Sequence, residues 1–234
     1  MSKTAILIPA RYASTRFPGK PLVELDGVPM IKRVYDACIA SKLPTYVLTD
    51  DRRIADLMYL DNVPFWIDEQ DEYANGTERC AGAVKYCPEL KQYDQFINVQ
   101  GDMPDVTLEL IDKCQTLLNY YSVSTVYATM PKEMQDDPNT VKCVHASEYA
   151  LWFGRGITGY GSWHLGVYGY KRNALEMYNT LPVPDEERIE QLEQLRWLKN
   201  SWQIGINPVY YKGVEINAPE DVDQWHINLS LIHI

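Results

Sequence analysis

The chain has 234 residues, of which 46% are hydrophobic and 23% charged, with a formal net charge of −10. That is enough apolar residue for the core of one domain, or one domain with a small lobe, and it excludes a disordered chain. The acidic balance excludes a nucleic-acid binder and requires any site for phosphates to gather its few cations locally and recruit a metal.

The first apolar run, Ala5-Ile6-Leu7-Ile8, reads as a buried strand. Asp26-Gly27 reads as a turn and Pro29 as a helix start, with Ile31, Val34, Tyr35 and Cys38 at helical spacing. Residues 45–49 form a second strand, and Asp50 or Asp51 caps a helix carrying Ile54, Leu57 and Met58. Residues 63–67 form a third, weaker strand and residues 95–99 a fourth. This β-α-β-α rhythm predicts an α/β fold, a mostly parallel sheet with helices on both faces. The second half is less regular. Strands are predicted over 124–130, 142–145, 149–153 and 163–170, one helix over 186–199, and a final helix from Pro219-Glu220-Asp221. Five cysteines (Cys38, Cys80, Cys87, Cys114 and Cys143) form no C-x-x-C pair, which predicts reduced, buried thiols. No signal-like N-terminus and no 18-residue apolar run is visible, so a soluble, cytoplasmic protein is expected.

The loop after the first strand concentrates chemistry. Arg11, Arg16 and Lys20 fall within ten residues, Ser14 and Thr15 add hydroxyls, and Gly19 permits a tight turn among Pro9, Pro18 and Pro21. A cationic, small-residue loop at the C-terminal end of a first strand is where an open α/β sheet holds a phosphate-bearing ligand; the alternative is a solvated basic loop. Asn98-Val99-Gln100-Gly101-Asp102 ends the fourth strand. An aspartate there faces the crevice, and Mg²⁺ takes oxygen ligands, so Asp102 is a candidate metal ligand; the alternative is a strand-ending turn. In Asn75-Gly76-Thr77-Glu78-Arg79, Asn75 or Thr77 suits a helix N-cap.

The stretch Pro9-Ala10-Arg11-Tyr12-Ala13-Ser14-Thr15-Arg16-Phe17-Pro18-Gly19-Lys20-Pro21-Leu22 resembles the nucleotide-binding signature of the CMP-Kdo synthetase (3-deoxy-manno-octulosonate cytidylyltransferase) family of sugar nucleotidyltransferases. Asn75 to Arg79, Asn98 to Asp102, His164 to Tyr170, Glu193-Gln194-Leu195-Arg196 and Pro219-Glu220-Asp221 follow in the family's order. The resemblance implies a Rossmann-like sheet with a small β-rich sugar-binding and dimerisation lobe, the nucleotide half at about 1–122 and the sugar half at about 123–234. It implies attack by the anomeric hydroxyl of an acid sugar, Kdo or a relative, on the α-phosphate of CTP. Pyrophosphate leaves, and the CMP-sugar serves lipopolysaccharide or capsule synthesis. It implies a homodimer using Mg²⁺, with no nucleic-acid or membrane partner.

By the same resemblance Ala10, Arg11, Ser14, Thr15, Arg16 and Lys20 hold the nucleotide, Gly76 and Thr77 lie near the cytosine, and Gln100 meets base or sugar. Arg79, Arg155, His164, Tyr168, Gln194 and Arg196 face the acid sugar; read without the family, His164 is a structural histidine, Tyr168 core, and Gln194 and Arg196 surface residues. Arg11, Lys20 and Asp102 are the catalytic set. The sequence departs from the family at three places. Asn217 stands where a second metal-binding aspartate is usual, with Glu215 two residues earlier on the same face of an extended strand. Met103 replaces a glutamate, and only Gly156 to Trp163 separate Arg155 from His164. The short 156–163 segment and Asn217 motivate a second reading, an enzyme for another acid sugar or nucleotide; a third reading is a non-catalytic nucleotide-binding homologue, against which Arg11, Lys20, Gln100 and Asp102 argue.

Overall fold

The structure, a computed structural model, describes residues 2–14, 16–70 and 72–232, with side chains as far as residue 228. Strand β1 (Thr4–Ala10) is buried at every position, as a strand paired on both edges and covered on both faces must be. It lies parallel to β4 (Thr45–Thr49) on one side and to β6 (Gln95–Asn98) on the other, and β5 (Phe65–Ile67) continues the parallel edge beyond β4. The chain direction reverses at β10 (Ser162–Lys171), which is antiparallel to β6 and to β7 (Val123–Ala128). β11 (Ile204–Pro208) runs parallel to β7, and β9 (Tyr149–Gly154) and β8 (Lys142–Ala146) follow antiparallel, the start of β10 also pairing with β8. The result is one continuous sheet in the order β5-β4-β1-β6-β10-β7-β11-β9-β8. Between β1 and β4, β2 (Glu24–Leu25) and β3 (Val28–Pro29) form a small hairpin on the predicted turn, where Asp26 and Gly27 have φ of 49° and 74°.

Alternation along β1 feeds two cores. Ile6 and Ile8 meet Ile31, Val34 and Cys38 of α1 (Met30–Ile39), Ile54 and Met58 of α2 (Arg52–Leu60), and Leu110 and Ile111 of α4 (Leu108–Leu117). Ala5 and Leu7 share the other core with Cys80, Ala83 and Val84 of α3 (Gly76–Tyr86) and with Ala174 and Tyr178 of α5 (Arg172–Tyr178). All five cysteines are free and buried. Helix α8 (Glu220–Ile232) closes the described chain, and no described helix is long and apolar enough to cross a membrane.

Three sequence expectations need correction. The helix predicted over 186–199 is two, α6 (Asp185–Glu190) and α7 (Leu195–Lys199), broken where Gln191 adopts φ 53°. The fold-back lets buried Arg196 reach Glu187, at 2.6 and 2.8 Å, and leaves Ile189 78% exposed. The segment carrying Glu215 and Asn217 is not a strand: its amides go to Asp105, Asp102 and Asp221 instead of to a ladder. Gln194 and Arg196, surface residues by default, are buried.

Candidate active site

The loop between β1 and α1 folds on Tyr12. The Gly19 N–H donates to the Tyr12 carbonyl at 3.0 Å, the Arg53 guanidinium covers the Tyr12 ring at 3.2 Å, and Gly19 has φ 73°. A side chain at Gly19 would meet the Tyr12 hydroxyl oxygen at 3.0 Å, so the position needs glycine for both dihedral and space. The turn delivers Lys20 to the end of β6, where its ammonium meets Asp102 Oδ2 at 2.7 Å.

The C-terminal segment is laced to the same place. Ile216 N–H donates to the Asp102 carbonyl at 3.0 Å, Val214 N–H to Asp105 Oδ2 at 3.0 Å, and the Asn217 and Ala218 amides to Asp221 Oδ2 at 2.7 and 2.8 Å. These bonds bring Glu215 and Asn217 beside Asp102. Burial, and then the Asp102 charge, push the Glu215 carboxyl up to about 7, while Lys20, Arg155 and a hydrogen bond from Asn217 pull it the other way.

Arg155 completes this group. Its Nη1 donates to the Asn139 carbonyl at 2.6 Å and its Nε to the Glu190 carbonyl at 3.2 Å. Burial and the facing Arg16 both lower its pKa, with Glu215 and Glu190 opposing. Arg11 and Arg16 are exposed, and among the described residues no carboxylate pairs with Arg11, Arg16 or Arg155. Unpaired arginines around one edge of a strongly acidic chain form a receptor for anions.

A second cluster stands at the N-terminus of α3. Asn75 is the cap, its Oδ1 accepting from Glu78 N–H at 2.9 Å. The Thr77 amide donates to Glu193 Oε2 at 3.0 Å, while its hydroxyl bonds the Tyr170 hydroxyl at 2.8 Å. Gln100 sits between Gly76 and Gly166, whose added Cβ atoms would lie 3.3 Å from its Oε1 and 3.2 Å from its Cγ. Gln100 Nε2 is 3.5 Å from Glu193 Oε1.

The remaining candidates are internal. His164 is buried, bonds Thr125 Oγ1 through Nε2 at 3.0 Å and packs on Phe153 and Tyr168; burial first, and Arg155 second, push its pKa down to about 3, so its ring is neutral. The Tyr168 hydroxyl donates to Gln194 Oε1 at 3.0 Å, leaving buried Gln194 Nε2 without a partner among the described residues. Arg79 pairs with Asp50 at 2.6 Å, its Nη1 likewise unpartnered. Arg196 bridges Glu187 and Glu78 at 2.6 and 2.7 Å. Ala10 ends β1, buried, and Ser14 Oγ accepts from Phe17 N–H at 3.4 Å. Thr15 lies outside the described residues. The structure thus gathers Arg16, Lys20, Asp102, Arg155 and Asn217 in one place and Gly76, Thr77 and Gln100 in another, and ties Arg79 and Arg196 to carboxylates. Glu193 stood in a family-matching stretch but was given no role, and Glu190 and Lys142 were not singled out from the sequence. For Lys142 a signal existed, a lysine inside the apolar run Val141-Lys142-Cys143-Val144.

A cytidylyltransferase profile matches residues 5–214. The chain belongs to the cytidylyltransferase family. A 3-deoxy-manno-octulosonate cytidylyltransferase of Parabacteroides distasonis is 34% identical, over 96% of this chain and 97% of that protein. An 8-amino-3,8-dideoxy-manno-octulosonate cytidylyltransferase of Shewanella sp. (strain ANA-3) is 36% identical, over 97% and 98%. Among solved structures, CMP:2-keto-3-deoxy-manno-octonic acid synthetase complexed with CTP superposes with a TM-score of 0.88 at 28% identity, covering 99% of both chains. As a cytidylyltransferase the protein is a nucleotidyl-transferring enzyme, and its α/β fold is that of nucleotide-diphospho-sugar transferases.

Proposed function

We propose that the protein transfers CMP from CTP to the anomeric hydroxyl of 3-deoxy-manno-octulosonate or a close relative such as its 8-amino form, releasing pyrophosphate. The observation that carries this reading is a pair of cations, Arg16 and Arg155, left without carboxylate partners near the Lys20–Asp102 pair, with exposed Arg11 on the same loop as Arg16 and Lys20. Both reactants are anions, so catalysis is chiefly charge neutralisation and in-line positioning. Arg11, Arg16 and Lys20 clamp the triphosphate, and Lys20 exchanges Asp102 for phosphate oxygens. Gly76, Thr77 and Gln100 receive the base, with Gln100 also within reach of the sugar. Arg155 receives the sugar carboxylate, while neutral His164, Tyr168 and Gln194 wall the sugar and Arg79 and Arg196 frame it through their carboxylate partners.

Mg²⁺ fits the donor set. Among the described residues no three His, Cys, Asp or Glu side chains gather as a metal cage, and Mg²⁺ commonly takes one or two protein oxygens with the rest from phosphates and water. Asp102 and the Asn217 amide oxygen would hold it, with Glu215 adding the charge that Asn217 lacks. When bound it neutralises the phosphates and orients them. Unpaired buried thiols support a reducing compartment such as the cytoplasm. Exposed Tyr149, Leu151 and Tyr160 support a dimer contact on β9 and the following loop, which sedimentation would register.

Pyrophosphate release with CTP, Mg²⁺ and either sugar tests the reading. Turnover is expected with CTP and lost in Asp102→Asn with the fold intact. Turnover confined to UTP, CTP binding with no turnover, or near-normal rates in Asp102→Asn would overturn it.

A further inference from the structure

Lys142 lies in β8 and is fully buried, yet among the described residues no carboxylate pairs with it. Burying a charge is costly unless the charge is paired or fully hydrogen-bonded. Its ammonium donates instead to two backbone carbonyls from different loops, those of Asp137 and Arg155, the latter at 3.1 Å. A third segment closes over its stem: Gly161, with φ 98°, leaves so little room that a Cβ there would sit 3.1 Å from Lys142 Cβ. Lys142 is the ladder partner of Gly154 on β9 and of Trp163 on β10. It therefore stands in the throat of the short loop that leaves β9 and returns at Ser162.

These bonds close a ring. Lys142 holds the Asp137 turn. Asn139 in that turn, itself fixed by two bonds to Asp137 Oδ1, offers its carbonyl to Arg155 Nη1. The Arg155 carbonyl returns to Lys142, and Glu190 braces the outside through the Arg155 amide and Nε. A methionine would fill the same apolar space without a buried charge. What the ammonium alone supplies is the tie between the turn and Arg155. We propose that Lys142 is a positioning residue of the sugar site: its buried ammonium fixes the backbone of Arg155 and the Asp137 turn, and so sets where the unpaired Arg155 guanidinium meets the carboxylate of an acid sugar.

This inference rests on the acid-sugar reading, and the two fail differently. No turnover of wild type with CTP and Kdo or its 8-amino form sinks the reading. Turnover with a sugar KM indifferent to Lys142 sinks only the inference. In Lys142→Met the sugar KM should rise about tenfold, with kcat, the CTP KM and the calorimetric CTP affinity within about twofold of wild type. A merely structural lysine would move stability, or both KM values together. Arg155→Lys should show the same split, and the double variant should be no worse than Arg155→Lys alone, because the two act through one contact. Lys142→Gln, a shorter donor, should fall between wild type and Lys142→Met. An unchanged sugar KM in Lys142→Met, CTP and sugar KM rising together, or full additivity with Arg155→Lys would overturn the proposal. Should Lys142→Met fail to fold, the Lys142→Gln split decides, together with nitrogen-15 NMR of the wild type. A protected Lys142 ammonium is expected there, and one exchanging at the bulk rate would overturn it.

Discussion

At the scale of single residues, burial decides what a candidate can do. His164 belongs to the stretch that resembles the family, and its environment makes it a neutral hydrogen-bonding wall instead of a proton carrier. Its pKa is lowered in the folded chain, to about 3 from an ordinary 6.5. The unfolded chain therefore binds a proton as pH falls below 6.5 and the folded one does not, so stability is full above 6.5 and declines toward 3. By pH 5 the loss from this group is about 2 kcal/mol. His164→Gln should flatten the urea-unfolding stability between pH 7 and 5 by about that amount, whatever its effect at pH 7. A variant with the wild-type slope would show that His164 protonates in place. Lys142 teaches the complementary lesson, since a cation inside an apolar strand pattern is visible in the sequence while its two carbonyl partners are not.

At the scale of elements, the strands of the first half were legible because each is a short apolar run bounded by turn residues. The predicted 45–49 strand coincides with β4, and the 95–99 strand overshoots β6 by one residue. β11 was not legible: Ile204-Gly205-Ile206-Asn207-Pro208 carries a glycine and a proline, and it forms because Tyr121 packs over Gly205 and β7 offers a parallel edge. The 186–199 region misled in the opposite sense. Ile189, Leu192 and Leu195 keep helical spacing, but the ion network among Glu78, Glu187 and Arg196 requires a fold-back, and no periodicity encodes a charge pairing across 118 residues. That network holds the start of α3 against α6 and α7, and so carries Thr77 and Glu193 with it. Arg196→Met should cost about 3 kcal/mol in urea denaturation, because it leaves the buried Glu187 and the part-buried Glu78 carboxylates without their cation. Adding Glu187→Gln should recover part of the loss. A loss under about 1 kcal/mol would mean that water reaches the carboxylates and the network does not lock the turn.

At the scale of the whole molecule, the sheet places the parallel strands β1, β4 and β6 beside the antiparallel β10, so that the loop after β1, the end of β6 and the Arg155 loop all reach one edge. The motif order hinted at this gathering. The 214–217 segment joins it through backbone bonds to Asp102 and Asp105, which no side-chain pattern announces. The consequence is a group of arginines without carboxylate partners on a chain of net charge −10. Salt should act on the two features in opposite directions. Screening weakens the self-repulsion of the free protein, so its melting temperature should rise modestly between 50 and 500 mM NaCl. Screening also weakens the attraction of a triphosphate to the exposed Arg11 and Arg16, so the extra stability that CTP confers should shrink. At low salt, CTP at a hundred times its Kd should add about 2.7 kcal/mol, or roughly 5–10 °C for a chain of this size. Arg16→Ala, which removes a cation facing Arg155, should reduce that increment at low salt more than at high salt. Thermal unfolding of both proteins across the salt series checks it, and a CTP increment that stays constant with salt would mean that base and ribose contacts, not the arginines, hold the nucleotide.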